Sequence, residues 1–233
     1  TFAPLTEWAG DPDEHVRRLV SEGTRPRLPW AARLTALVAD PSPSLPLLHR
    51  MRDDPSEYVR RSVSNHLNDI AKDHPDLAVA VAGRWVAEGG THVERVVRHG
   101  LRGLLKSGHP GALAAVGVRV DDPIDVRAFS ADPAVLPIGG SVSVTCTLVT
   151  PGPREARAEI DLRVHYANAA GALTRRATFR FARRALSPGT PETVTRSIAF
   201  RPVSIRALHP GRHLLELQVN GRIVADLAVD LTP

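Results

Sequence analysis

The sequence holds a single cysteine, Cys146, which leaves no partner for an internal disulfide and fits a reducing compartment. Only two lysines, Lys72 and Lys106, stand among the 30 basic residues, so positive charge is carried by arginine, a bias that codon usage explains as readily as function. No run approaches the roughly 18 apolar residues of a membrane span. The start, Thr1-Phe2-Ala3-Pro4, is not a basic stretch followed by an apolar one, so neither signal peptide nor anchor is expected, and the expected location is cytoplasmic. A glycine-rich phosphate loop, a Gly-x-Ser-x-Gly elbow and a Cys-x-x-Cys pair are all missing. His66, His74 and His99 have no cysteine beside them and no ligand spacing, so neither a metal nor a cofactor is expected.

What is present is a globular composition, 42% hydrophobic and 24% charged, over 233 residues, with room for one or two domains. The formal charge of +5 is modest. Residues 1–118 carry 15 basic against 14 acidic side chains and residues 119–233 carry 15 against 11, so the excess lies in the second half. Affinity for a polyanion must then come from arrangement rather than bulk charge.

The first half is organised around the stretch 58–75. Val59, Val63, Leu67 and Ile70 fall on one helical face, and Arg61, Asn65, Asn68 or Asp69, and Lys72 form a second, polar stripe. The pattern recurs. His15-Val16-Arg17-Arg18 lies 43 residues before Tyr58-Val59-Arg60-Arg61, and Arg95-Val96-Val97-Arg98 lies 37 residues after it. Spacings of about 40 are those of stacked helix pairs of the HEAT type. Equivalent positions of a solenoid line up along one surface, so Arg18, Arg61 and Arg98 are expected to form a row facing phosphates, extended by Arg102 and Lys106. Helices are expected over about 11–22, 29–38 (with Pro29 in its first turn), 44–52, 57–73, 75–88, 91–106 and 111–116. Trp8 and Trp85 read as core.

From Val118 onward the pattern changes to alternating, β-branched runs: 142–148, 158–166, 177–181, 194–200, 213–219 and 223–229, separated by glycine and proline turns. Asn220-Gly221 between two such runs is a hairpin signal. Six or seven strands in about 105 residues predict an immunoglobulin-like antiparallel sandwich, without the hallmark disulfide. The expected organisation is an α + β multidomain chain: a HEAT-like helical domain at 1–118, a linker at 119–124 and the β-sandwich at 125–233.

The stretch His15 to Trp30 and the string Ser64-Asn65-His66-Leu67-Asn68-Asp69-Ile70-Ala71-Lys72-Asp73-His74-Pro75 resemble the HEAT-like alkylpurine DNA glycosylases of the AlkC and AlkD type, AlkC more closely. The resemblance covers about residues 8–116, and some AlkC proteins add a C-terminal immunoglobulin-like domain. It implies double-stranded DNA as partner, cationic N-alkylated bases such as 3-methyladenine as substrate, cleavage of the glycosidic bond, no cofactor and a monomer. Such a base leaves easily, so the task is to stabilise an oxocarbenium-like sugar and place a water, work for carboxylates and an electron-rich aromatic. Glu22 and Asp69 as catalytic residues, Trp30 and Asn65 against the substrate, and Arg25 with the arginine row on DNA are what the resemblance implies. It further implies helices preceding residue 1, so the chain is expected to be the C-terminal part of a longer solenoid.

Each residue also has a plain structural reading. Glu22 suits an i,i+4 ion pair with Arg18, Asp69 an i,i+3 pair with Lys72, and Trp30 the filling of a core between repeats. In the second half, the run 175–184 is the densest basic segment. With period 2, Arg176, Thr178, Arg180 and Arg184 share one face and Ala177, Phe179 and Phe181 the other. That strand is either a second DNA contact or an edge kept soluble by charge. For the whole chain the rival to a glycosylase is a non-catalytic HEAT-plus-immunoglobulin binding module.

Overall fold

The computed structural model describes residues 2–203 and 207–233, with Arg175 described by its backbone alone. The chain divides into two compact units, residues 1–116 and 117–233.

Among the described residues the first unit contains α1 (Ala3–Trp8), α2 (Glu14–Gly23), α3 (Thr35–Ala39), α4 (Leu45–Met51), α5 (Glu57–Asp73), α6 (Pro75–Glu88), α7 (Val93–Gly100), α8 (Arg102–Ser107) and α9 (Pro110–Ala115). The expected apolar stripe of α5 is its core face: Val59, Val63, Leu67 and Ile70 are at most 1% exposed. Helix α5 packs against α2 on one side and α7 on the other. The approach to α7 is close enough that a Cβ on Gly100 would lie 2.7 Å from Leu67 Cδ2, which is why the crossing point carries glycine. The repeat-like order of α2, α5 and α7 is held by one loop. Asp54 takes Arg17 of α2 in a two-pronged pair at 2.7 and 2.9 Å, its carbonyl accepts from Arg60 of α5, and Asp53 accepts the backbone N–H groups of Thr91 and His92 ahead of α7.

Three local expectations change. Residues 29–34 are not helical; α3 starts only at Thr35, because Trp30 adopts φ 64°, a conformation no right-handed helix admits. The helix expected over 91–106 is broken at Leu101 into α7 and α8. Trp85 is core at 1% exposure, whereas Trp8 is 43% exposed on the short α1.

The second unit is an immunoglobulin-like pair of sheets. One has the order β1 (Asp125–Asp132), β3 (Ser141–Val149), β6 (Glu192–Ala199). The other has the order β2 (Val135–Pro137), β8 (Arg222–Thr232), β7 (Gly211–Val219), β4 (Ala156–Ala167), β5 (Leu173–Leu186). Among the described residues the pairings of these strands are antiparallel except that of β2 with β8. Strands β1 and β2 lie outside the runs read from the sequence. Asn220 and Gly221, at φ 47° and 83°, make the expected hairpin turn, and the Asn220 side chain also binds the backbone of Arg157 and Glu159. Cys146 fills the core beside Val144 and Leu148, and burial pushes its thiol up to about 11.

Strand β5 departs from simple alternation. Ala182 pairs with Ile160 and Arg180 with Asp161, so Phe181 is an extra, bulged residue. Beyond the bulge the faces exchange. Arg180 and Arg183 lie on the side of Glu159 and Asp161, and Arg184 lies with Ala182 and Ile160 on the side of the other sheet, where it pairs with Glu192 of β6 at 2.9 Å. Arg184 therefore does not share a face with Arg176 and Arg180, as strict period 2 required.

Candidate active site

The sequence motifs around Glu22 and around Asp69 converge on one cluster. Glu22 sits in the last turn of α2. Thr24, bonding back to the Val20 carbonyl at 2.7 Å, ends that helix and turns the chain towards α5. Arg25 then enters the interior, 7% exposed. Its Nη1 donates to Glu22 Oε1 at 2.8 Å, while its Nε donates to Asp69 Oδ2 at 2.8 Å and Nη2 lies at the same distance from that oxygen. Lys72 Nζ donates to Asp69 Oδ1 at 2.9 Å, and Ser62 Oγ donates to Glu22 Oε2 at 2.7 Å. Arg18 approaches Glu22 Oε2 at 3.5 Å and stacks 4.4 Å over the Tyr58 ring.

The two carboxylates differ in access: the side chain of Asp69 is 2% exposed and that of Glu22 18%. Burial pushes the Glu22 carboxyl up, but the hydrogen bonds from Ser62 and Arg25 and the charges of Arg25 and Arg18 outweigh it and hold the group below the ordinary glutamate value. Glu22 is an anion at neutral pH. Asn65, one turn before Asp69, accepts from Arg102 Nη2 at 3.1 Å. Burial lowers the Arg102 pKa, Asp69 acting against that shift and Arg25 with it.

Beneath the cluster lies His66, fully buried. Its Nδ1 is 3.0 Å from the Ser21 carbonyl, which can only accept, so the proton is on Nδ1 and Nε2 is a buried acceptor without a partner. Desolvation pushes its pKa down to about 4, so the ring is neutral.

Trp30 is the opposite case to core filler. It is wholly exposed, at 105%, on the loop that follows Arg25, and it holds the left-handed backbone conformation. The loop is anchored on both sides of Pro26: Arg25 on Asp69, and Arg27 on Asp73 through two bonds of 2.6 Å.

The arginine set divides. Arg61 (side chain 67% exposed) and Lys106 lie on the surface, and Arg18 is one-third exposed. Arg98 is turned inward, 16% exposed, bonding Glu94 and the Val116 carbonyl at the end of its own unit, so the row Arg18–Arg61–Arg98 is interrupted. Its neighbour Arg95, 74% exposed, takes the outward position beside Arg61. Arg25 is not a surface phosphate ligand, because it is buried and each of its three nitrogens is held by one of the two carboxylates. Arg102 is half-buried on Asn65 and the His99 carbonyl. In the β unit Arg176 is exposed, Arg180 is tied to Glu159 and, at 3.3 Å, to Asp161, and Arg184 to Glu192.

This geometry can be set beside known proteins. A solved structure described as Pseudomonas fluorescens alkylpurine DNA glycosylase AlkC bound to DNA containing an abasic site analog is 34% identical, with a TM-score of 0.92 over 100% of this chain and 64% of that one. This is the AlkC-type architecture. The match to AlkC runs through both units, and residues 125–233 also match the family described as "Uncharacterised protein YhaZ, C-terminal Ig-like domain". A Bacillus subtilis (strain 168) relative, "Uncharacterized protein YhaZ", is 35% identical over 224 residues, 95% of this chain. The AlkC-like chain spans about 61% of that relative's length and 64% of AlkC's.

Sequence reasoning did not assign Ser62 to the cluster. It stands at i−3 from Asn65 and i−7 from Asp69, on one face of α5, a spacing that placed it within reach of Glu22 once α2 and α5 were paired. In the repeat, Arg98 is the position equivalent to Arg18 and Arg61, and nothing in the sequence marks Arg95 as the residue that faces outward in its place.

Proposed function

We propose that this chain carries the pocket of a DNA repair glycosylase that hydrolyses the glycosidic bond of cationic N-alkylated bases such as 3-methyladenine, acting as a cytoplasmic monomer on double-stranded DNA. The observation that carries the reading is the joining of Glu22 and Asp69 through Arg25, in a chain alike to AlkC over its whole length. In the proposed reaction the C1′–N bond breaks with its electron pair passing to the base, which leaves as a neutral purine and needs no proton. The positive charge is left on the sugar. The two carboxylates stabilise it, and the lowered pKa of Glu22 suits that role better than it suits a proton donor. Water adds to C1′, and its proton passes to the carboxylate pair. Trp30, standing clear of the surface, offers a π face to a cationic base or to the gap it leaves. Arg18, Arg61 and Lys106 on the helical unit and Arg176 on the β unit are the proposed phosphate contacts, with Arg98, Arg102, Arg180 and Arg184 supporting from behind.

The test is release of 3-methyladenine from alkylated duplex by this chain within its full-length protein, wild type against Glu22→Gln and Asp69→Asn. Both amides are expected to slow release at least a hundredfold while duplex binding is kept or tightened, since each removes a charge that repels phosphate. Duplex binding by the wild type without any release supports a non-catalytic module instead.

A further inference from the structure

Between α5 and α7 an open cleft is lined by Glu57, Arg60, Arg61, Ser64, Arg95, Val96 and His99. Three arginines and one carboxylate are among the lining residues. Glu57 Oε1 lies 2.9 Å from Arg95 Nη2 and 3.9 Å from Arg61 Nη2, while Arg60 bonds only neutral carbonyls, those of Asp54 and Pro55. The lining thus keeps an excess of two positive charges with His99 neutral. The charged groups around His99 are Glu57, Arg60 and Arg61 from α5, Arg95 from its own helix and Arg102 from α8. Burial first, and then Arg102, Arg61 and Arg95, lower the His99 pKa.

We infer that this cleft is a phosphate seat, in which Arg61, Arg95 and His99 hold one backbone phosphate of the bound DNA and Glu57 fills the phosphate's place when DNA is absent. The inference rests on the proposed function for the identity of the polyanion. Burial and, after it, three cations lower the His99 pKa; a phosphate would compensate the cations, so His99 takes up a proton on binding and affinity rises as pH falls.

The experiment measures duplex binding by the full chain against salt and pH, alongside base release. Arg95→Ala is expected to weaken binding and reduce the salt slope by about one. His99→Asn should remove that rise of affinity on acidification. Glu57→Gln should tighten binding a few-fold, a gain that a merely structural ion pair would not give. The His99 ring, followed by NMR, should rise in pKa with duplex, and with inorganic phosphate alone only at far higher concentration. Unchanged salt slope in Arg95→Ala, weaker binding in Glu57→Gln, or a His99 response to inorganic phosphate but not to duplex overturns the inference. Base release that persists in any of those cases leaves the glycosylase reading standing, and absent release with the expected slopes removes that reading alone.

Discussion

Arg25 and Asp69 meet on a single oxygen: both Nε and Nη2 of the guanidinium lie 2.8 Å from Oδ2, leaving Oδ1 to Lys72. Because Arg25 Nη1 reaches Glu22 at the same time, one buried cation fixes the distance between two carboxylates from helices 40-odd residues apart. The two carboxylates and the cation between them are one piece of structure.

Removing the cation alone strands a buried carboxylate. Arg25→Met is expected to destabilise the helical unit by about 3–5 kcal/mol, measured by urea or thermal unfolding. Arg25→Met with Asp69→Asn should cost clearly less than the sum of the two single changes. Additive losses would mean that the pair contributes little beyond packing.

His66 sets an acid limit on stability. The native ring stays neutral to about pH 4, whereas the unfolded chain takes up that proton near 6.5. The unfolded state therefore binds more protons between those values. The stability is fully present above about 6.5 and declines as pH falls towards 4, by about 3 kcal/mol in total. His66→Gln, which keeps a donor for the Ser21 carbonyl, should flatten that part of the stability profile relative to wild type. An identical slope in the variant would refute the assignment.

Trp30 holds a conformation that costs an L-residue about 1–2 kcal/mol, and its indole contacts little in return. Trp30→Gly is expected to be as stable as wild type or more so, and about 1 kcal/mol more stable than Trp30→Ala, while both lose affinity for lesion-containing duplex. Loss of stability in the glycine variant would show that the indole packs on its own loop.

On β5 the arginines have separate fates. Arg180→Glu sets a third carboxylate beside Glu159 and Asp161, 3% and 1% exposed, and should unfold the β unit or lower its melting temperature sharply. Arg176→Glu, at an exposed position, should leave stability within about 0.5 kcal/mol and reduce duplex affinity at moderate salt. Equal stability of the two variants would contradict the buried pairing.

Periodicity and turn chemistry, both local, were enough to read the apolar face of α5, the change from helices to strands near residue 118 and the Asn220-Gly221 hairpin. The strings around Glu22 and Asp69 carried the resemblance to AlkC. What local pattern could not carry was the direction in which long side chains commit themselves. Arg18, Arg61 and Arg98 are equivalent in the repeat, yet Arg98 turns to the Val116 carbonyl, an acceptor 18 residues away that only packing brings within 3.0 Å. Arg25 reads as one more surface cation until α5 delivers Asp69 to it from 44 residues on. Arg184 changes face because a single bulged residue, Phe181, shifts the register, and whether a strand bulges depends on its partner, not on its own alternation. A guanidinium has a reach of several ångströms and five donors, so its position in the chain limits its partners only loosely, and the fold selects among them.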